Sequence, residues 1–265
     1  GMDYLLFLTV AAICAFGVVM LFSASYYYAQ SFQGDGYYYV KKQLLFLAIG
    51  IPVMFGLSFV DYKFYRRFAW MAYLLIILLL IAVLLFGKNL QGGQRWLKIG
   101  PLQFQPSELA KFIIVICMAK YMTDHHEDMP SFVRGLLPMA ALLVVPAVLI
   151  YFQPNVSMLI ILCIVFAIML FIGGADLKYL SIAALIGGVA LVVLLFAASY
   201  RESRFTAWLD PWGNKSDAGY QIVQSLYAFG NGGWFGQGLD ASRQKLLFLP
   251  YRESDFILSI IAEEL

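Results

Sequence analysis

The residues best placed to do chemistry in this chain are charged side chains standing where apolar sequence begins or ends. Glu108 and Lys111 lie three apart at the start of an otherwise apolar run, so a helix there puts them on one face. Charge at membrane depth is costly and marks a functional candidate, with Lys111 the deeper of the two. The same spacing suits a pair that merely satisfies itself at a helix end. Arg95, in Gly92-Gly-Gln-Arg-Trp96, could grip a phosphate with its guanidinium fork, or could anchor its loop at lipid headgroups beside Trp96. Glu253 and Asp255, in Leu249-Pro-Tyr-Arg-Glu-Ser-Asp-Phe256, stand where a long polar segment runs into a hydrophobic one. Partial desolvation there could make a carboxylate basic enough to act as a general base. Ser254 or Asp255 would serve equally well as a helix N-cap.

Other motifs carry less. Gly230-Asn-Gly-Gly-Trp-Phe-Gly-Gln-Gly238 lacks the register of a dinucleotide loop and reads as a tightly turning backbone more readily than as a phosphate cradle. Thr123-Asp-His-His-Glu-Asp128 reads as a solvated, charge-rich connection and is assigned no chemistry. The three cysteines, Cys14, Cys117 and Cys163, sit inside apolar runs without metal-ligand or disulfide spacing. No G-x-x-x-x-G-K-[ST] occurs, so no P-loop binds ATP. The net charge of +2 is dispersed rather than gathered into a basic stripe, which excludes a nucleic-acid footprint.

The elements that must position these residues are membrane helices. The chain is 62% hydrophobic and only 13% charged, with mean hydropathy +0.78, whereas soluble domains are about half apolar and a quarter charged. Apolar runs predict an all-α polytopic protein with spans at about Tyr4–Phe22, Leu44–Val60, Ala69–Phe86, Leu109–Met122, Leu136–Tyr151, Val156–Ile172 and Tyr179–Ala198. An eighth begins near Phe256 and is partial, ending at Leu265. The first is too long for a signal-peptide core and lacks a basic leader. Three connections are long: 23–43, 87–108 and, above all, 199–255, a length that usually signals function. Residues 1–265 are expected to form a single integral membrane domain. Lysine and arginine counts in the loops favour a cytoplasmic N-terminus by a small margin, which puts 199–255 outside the cell.

Taken together, the loop motifs resemble those of the SEDS family, to which FtsW, RodA and SpoVE belong. Gly92-Gly-Gln-Arg-Trp96, Gln105-Pro-Ser-Glu-Leu-Ala-Lys111, Gln153-Pro154, Asp210-Pro211, Gly219-Tyr-Gln221, Gln224-Ser-Leu226, Gly232-Gly233, Gly236-Gln-Gly238, Gln244-Lys245, Leu249-Pro250, Asp255-Phe-Ile257 and Glu263-Glu-Leu265 occur in the family's order over nearly the whole chain. The resemblance implies a ten-helix protein of the bacterial cytoplasmic membrane, with a large extracellular loop between helices seven and eight. It implies an inverting glycosyltransferase that polymerises lipid II into glycan strands beside a class B penicillin-binding protein. Asp255 falls at the family's essential acid. Arg95, Gln105, Glu108, Lys111, Arg243 and Lys245 become candidates for binding substrate, with either these basic residues or a divalent cation neutralising the leaving pyrophosphate. Two departures stand out: Gln153-Pro-Asn155 replaces Gln-Pro-Asp, and Glu253 occupies the place of a histidine in Tyr251-Arg-Glu-Ser-Asp255. A lipid II flippase and a non-catalytic scaffold for the penicillin-binding protein are the alternatives.

Overall fold

Uninterrupted runs of Leu, Ile, Val, Phe and Ala close their own backbone hydrogen bonds as helix, which hydrocarbon requires of any spanning segment. The computed structural model describes residues 3–90, 93–99, 102–196, 199–216 and 219–265. It contains helices α1 (Tyr4–Gln33), α2 (Tyr38–Leu57), α3 (Tyr62–Phe86), α4 (Pro106–Asp124), α5 (Leu137–Phe152), α6 (Val156–Ile172), α7 (Leu177–Phe196), α8 (Ser199–Leu209), α9 (Tyr220–Gly232) and α10 (Ile257–Glu264). Three short strands, β1 (Lys88–Leu90), β2 (Gly93–Ile99) and β3 (Leu102–Phe104), form an antiparallel meander in that order. Four helical segments are long and apolar enough to cross a bilayer: Tyr4–Gln33, Tyr38–Leu57, Tyr62–Phe86 and Phe132–Phe152. Val156–Ile172 and Leu177–Val189 are shorter apolar helices.

Among the described residues every predicted span is built on a helix, residues 197 and 198 of the seventh lying outside them, but three predicted connections are not loops. Residues 23–33 extend α1 by three turns, because nothing from Ser23 to Gln33 breaks a helix until Gly34 caps it at φ 72°. Only four residues then separate α1 from α2. Residues 87–108 hold the meander, with Leu97 facing Phe104 and Lys98 facing Gln103 across β2 and β3. The segment 199–255 contains α8 and α9, whose short lengths and mixed composition hid them from a search for spans.

The chain divides into two compact units, Gly1–Val60 with Leu195–Leu265, and Asp61–Leu194. The second unit is built on α3 to α6. Ile76 and Leu80, Ala110, Ile114 and Met118, Met139, Leu143 and Ile150, and Met158, Leu162, Phe166 and Leu170 interdigitate at four- and seven-residue spacing. Leu74, Leu78, Val144, Val148, Ile161 and Ile168 point outward, the reversed amphipathy of helices with a lipid-facing side. Asp61 caps α3, accepting the Lys63 amide at 2.9 Å, and Arg66 pairs with Asp124 at the same end of α4. In the first unit α1 packs on α2 and α10, and α10 on α9. Ala24, Leu249 and Ile260 form its small core.

Candidate active site

The predicted site residues fall into one cluster in each unit. In the Asp61–Leu194 unit, α4 opens with Pro106, whose missing N–H costs a first turn nothing. Glu108 lies in that turn, where the helix dipole favours an acid, and accepts a hydrogen bond from Lys111 Nζ at 2.8 Å. The pair is partly solvated, so each partner keeps bonding capacity for something else. Gln105 occupies the N-cap without capping, and its side-chain amide donates instead to Ser107 Oγ at 2.9 Å. Ser107 is fully buried and also receives Asn155 Nδ2 at 3.4 Å.

Asn155 therefore links two helix starts, since its Oδ1 accepts the Met158 amide at 3.4 Å and caps α6. An aspartate could cap there but could not donate to Ser107 when ionised. Arg95 reaches from β2 to the α5–α6 corner, donating from Nε to the Gln153 carbonyl at 3.3 Å and from its second terminal nitrogen to the Pro154 carbonyl. Gln153 is buried, and its amide donates to the Leu80 carbonyl at 3.1 Å. The sheet is thus tied to α3, α5 and α6 through two side chains. Two of Arg95's donors serve that tie, and its half-buried guanidinium leaves the remainder for a ligand. Gly92 of the same motif lies outside the described residues.

In the other unit the structure gathers charges that sequence kept apart. Lys245 is 1% exposed; its ammonium donates to Glu264 Oε1 at 2.9 Å and Ser23 Oγ at 3.0 Å, and pairs with the exposed Asp240. Ser23 Oγ lies 2.7 and 2.8 Å from the two Glu264 oxygens and donates its single proton to that carboxylate. Glu263, equally buried, accepts from Asn231 Nδ2 at 3.0 Å, from the Gln244 amide at 3.1 Å and from Ser242. Arg243 is exposed and shares a cavity of about 160 Å³ with Asn231, Gln237 and Glu263.

Asp255 is exposed at the head of α10, and among the described residues no group hydrogen-bonds its carboxylate. The protein itself does not dry that carboxylate. Nor does Asp255 cap the helix: the N-cap is Phe256, with no side-chain cap bond, because Tyr251–Phe256 closes as a turn in which the Phe256 amide reaches the Tyr251 carbonyl at 3.1 Å. Ser254 does not cap it either. The neighbouring Arg252 is buried, donates to the Leu249 carbonyl at 2.8 Å and lies 4.8 Å over the Tyr28 ring. Burial pulls its pKa down, opposed by nearby Glu253. Ser107, Glu263 and Glu264 lie in motifs of the family resemblance but carried no assigned role, and Ser23 lay in none. The readable signal was two consecutive acids following the apolar Phe256–Ala262, where charge is expensive.

These features define a polytopic helical membrane protein with polar clusters built at the helix ends and an exposed acid at the mouth of one helix. The cell cycle protein family of FtsW, RodA and SpoVE matches residues 3–265, and the chain belongs to that family. It is 36% identical to a probable peptidoglycan glycosyltransferase FtsW of Saccharophagus degradans, covering 99% of this chain and 68% of that protein. It is 34% identical to the stage V sporulation protein E of Bacillus subtilis, over 99% of this chain and 72% of the relative. The chain thus spans about two thirds of such relatives. Among solved structures it resembles the rod shape determining protein RodA of Thermus thermophilus, with TM-score 0.60 and 30% identity over 73% of this chain and 60% of that one. It also resembles a chain of a peptidoglycan synthase complex that coordinates polymerization and crosslinking, with TM-score 0.75 and 28% identity over 99% of this chain and 70% of that one.

Proposed function

We propose that this protein is a peptidoglycan glycosyltransferase that polymerises lipid II on the outer face of the cytoplasmic membrane, beside a class B penicillin-binding protein. The observation that carries the reading is Asp255: an exposed acid at the membrane-entry end of α10 whose carboxylate no group among the described residues pairs or hydrogen-bonds. Kinship with probable peptidoglycan glycosyltransferases supports it. The 4-hydroxyl of one lipid-linked disaccharide attacks the anomeric carbon of another. Asp255 takes the hydroxyl proton as the new bond forms, and the bond to undecaprenyl pyrophosphate breaks with inversion, from an α-linked pyrophosphate to a β-linked glycan.

The departing pyrophosphate carries negative charge that positive groups must meet. Lys111, with the remaining donors of Arg95, is assigned to bind substrate phosphate in its unit, with Glu108 orienting Lys111 and Gln105 a further candidate for substrate. Among the described residues no group of three or more His, Cys, Asp or Glu side chains is placed to hold a metal ion. A divalent cation held by the pyrophosphate oxygens themselves would supply the same charge.

The test is polymerisation of labelled lipid II by purified full-length protein in detergent, where no membrane sidedness exists. General-base assistance is typically worth about 10²–10⁴-fold in rate. Asp255→Asn is expected to lose activity on that scale while keeping its thermal stability, because the side chain neither caps α10 nor bonds any group among the described residues. Glu253→Gln should retain most activity. Near-normal polymerisation by Asp255→Asn would remove the base assignment. Absence of glycan chains from the unaltered protein would leave a flippase, for which the Glu108–Lys111 pair is the best support, or a scaffold.

A further inference from the structure

We propose that Tyr220–Leu249 is a re-entrant hairpin whose glycine turn lies beneath the outer membrane surface, with Trp234 and Phe235 against bilayer hydrocarbon. The inference concerns topology and is independent of the chemistry assigned to Asp255.

Two rulers within one unit give the depth. The first is α10. Its mouth is marked by the charged Arg252-Glu-Ser-Asp255, and from Ile257 to Glu264 it descends seven residues, about 10 Å. At that level the Gln237 amide donates to the Glu263 carbonyl at 2.8 Å, and the Gly238 amide to the Glu264 carbonyl at 2.9 Å. Gly232 approaches α10 so closely that a Cβ there would fall on the Ala262 carbonyl oxygen. The turn between α9 and the returning segment is therefore level with Ala262–Glu264, not with Asp255.

The second ruler is α1. Arg252 lies over Tyr28 near the surface, and five residues further into the apolar helix, about 8 Å, Ser23 meets both Lys245 and Glu264. Lys245 stands four residues before Leu249, whose carbonyl Arg252 caps from above. Both helices thus place the Lys245–Glu264 pair well below the charged collar.

The composition of the α9 arm and the tip of the hairpin fits hydrocarbon. No charged residue occurs from Ala218 to Leu239, although Asp217 and Asp240 bracket the stretch. At its tip Trp234 is 95% and Phe235 92% exposed, an aromatic pair projecting side by side from a turn closed by Gly233 and Gly236 at φ 61° and 65°. Irregular backbone survives at membrane depth only where protein satisfies it. Here the α10 carbonyls take the Gln237 and Gly238 amides, the Glu263 carboxylate takes the Gln244 amide and Ser242 the Lys245 amide, and Lys245, Glu263 and Glu264 are paired or hydrogen-bonded within the protein, while Arg243 stays exposed beside the Glu263 cavity.

The experiment uses full-length protein in liposomes, with its native cysteines replaced and a fluorophore at Phe235→Cys, Trp234→Cys or Ser216→Cys. Nitroxides carried in the lipid acyl chain should quench the labels at 234 and 235 severalfold more than headgroup nitroxides, and aqueous iodide should barely touch them. The label at 216 should show the opposite order. Iodide quenching at 234 and 235 equal to that at 216 puts the turn in water and overturns the proposal; so does shielding that appears only when a partner protein is added. Because labelling could disturb the tip, brominated acyl chains provide a label-free check. The fluorescence lost in Trp234→Phe should be a component that those lipids quench in the unaltered protein, beside that of the lipid-facing Trp70, and an unquenched Trp234 contribution would equally overturn the proposal.

Discussion

Lys245 and Asp255 stand ten residues apart and meet opposite environments, which dictates how each responds to substitution. Removing one partner of a buried ion pair strands the other, at a cost of about 3–5 kcal/mol, whereas replacing both by neutral groups of similar volume is often harmless. Lys245→Met is therefore expected to lower thermal stability on that scale by leaving Glu264 uncompensated, and Lys245→Met with Glu264→Gln to recover most of the loss. A thermal melt in detergent with detection of the monodisperse species measures both. If the double variant is no better than the single one, the pair is not the stabilising unit. The charged residues at this scale were legible as candidates, but their partners were not. Lys245 reads from sequence as a loop cation facing substrate, and only the fold reveals that it turns inward to Ser23, 222 positions earlier. Asp255 was equally ambiguous between base and cap, and the Tyr251–Phe256 turn removes the cap by placing Phe256 at the helix start.

Among the elements, α9 and α10 illustrate packing by absence of side chain. Gly232 and Gly236 both face backbone, Ala262 and Glu263 in one case and Glu264 and Leu265 in the other, and Gly236 also has positive φ. Gly232→Ala and Gly236→Ala should each lower the melting temperature by several degrees and loosen the hairpin. Gly230→Ala in the same helix has open space at its Cβ and should be neutral or stabilising by up to about 1 kcal/mol through helix propensity. Equal effects at all three positions would show that close approach is not the reason for these glycines. Spans were legible because a run of apolar residues has one solution in a bilayer. The α1 extension, the meander and α9 were not, because their lengths and mixed polarity fall between the patterns of a span and a loop. The β2 strand is held by Arg95 and Gln153, contacts that no local window contains.

For the molecule as a whole, the charge bias across its loops predicts that the 199–255 connection lies on the exterior side and 61–67 and 123–134 on the cytoplasmic side. A membrane-impermeant thiol reagent should modify a cysteine placed at Ser216 in intact cells and spare one at Ser131; the reverse pattern inverts the orientation and takes Asp255 to the wrong side for the proposed chemistry. The order in which the chain leaves the ribosome adds a further consequence. Ser23 lies in the first described helix, yet its partners Lys245 and Glu264 arrive 222 and 241 residues later. During synthesis α1 presents the translocon with an uncharged helix that can partition into lipid unaided. Every charge of the network belongs to segments made much later, and each charge alone would resist entry into hydrocarbon. Those segments settle by finding a hydroxyl already waiting in the bilayer, so α1 acts as an internal chaperone for a distant part of its own chain. A ribosome stalled before Lys245 would hold a stably integrated protein with an open seat on α1.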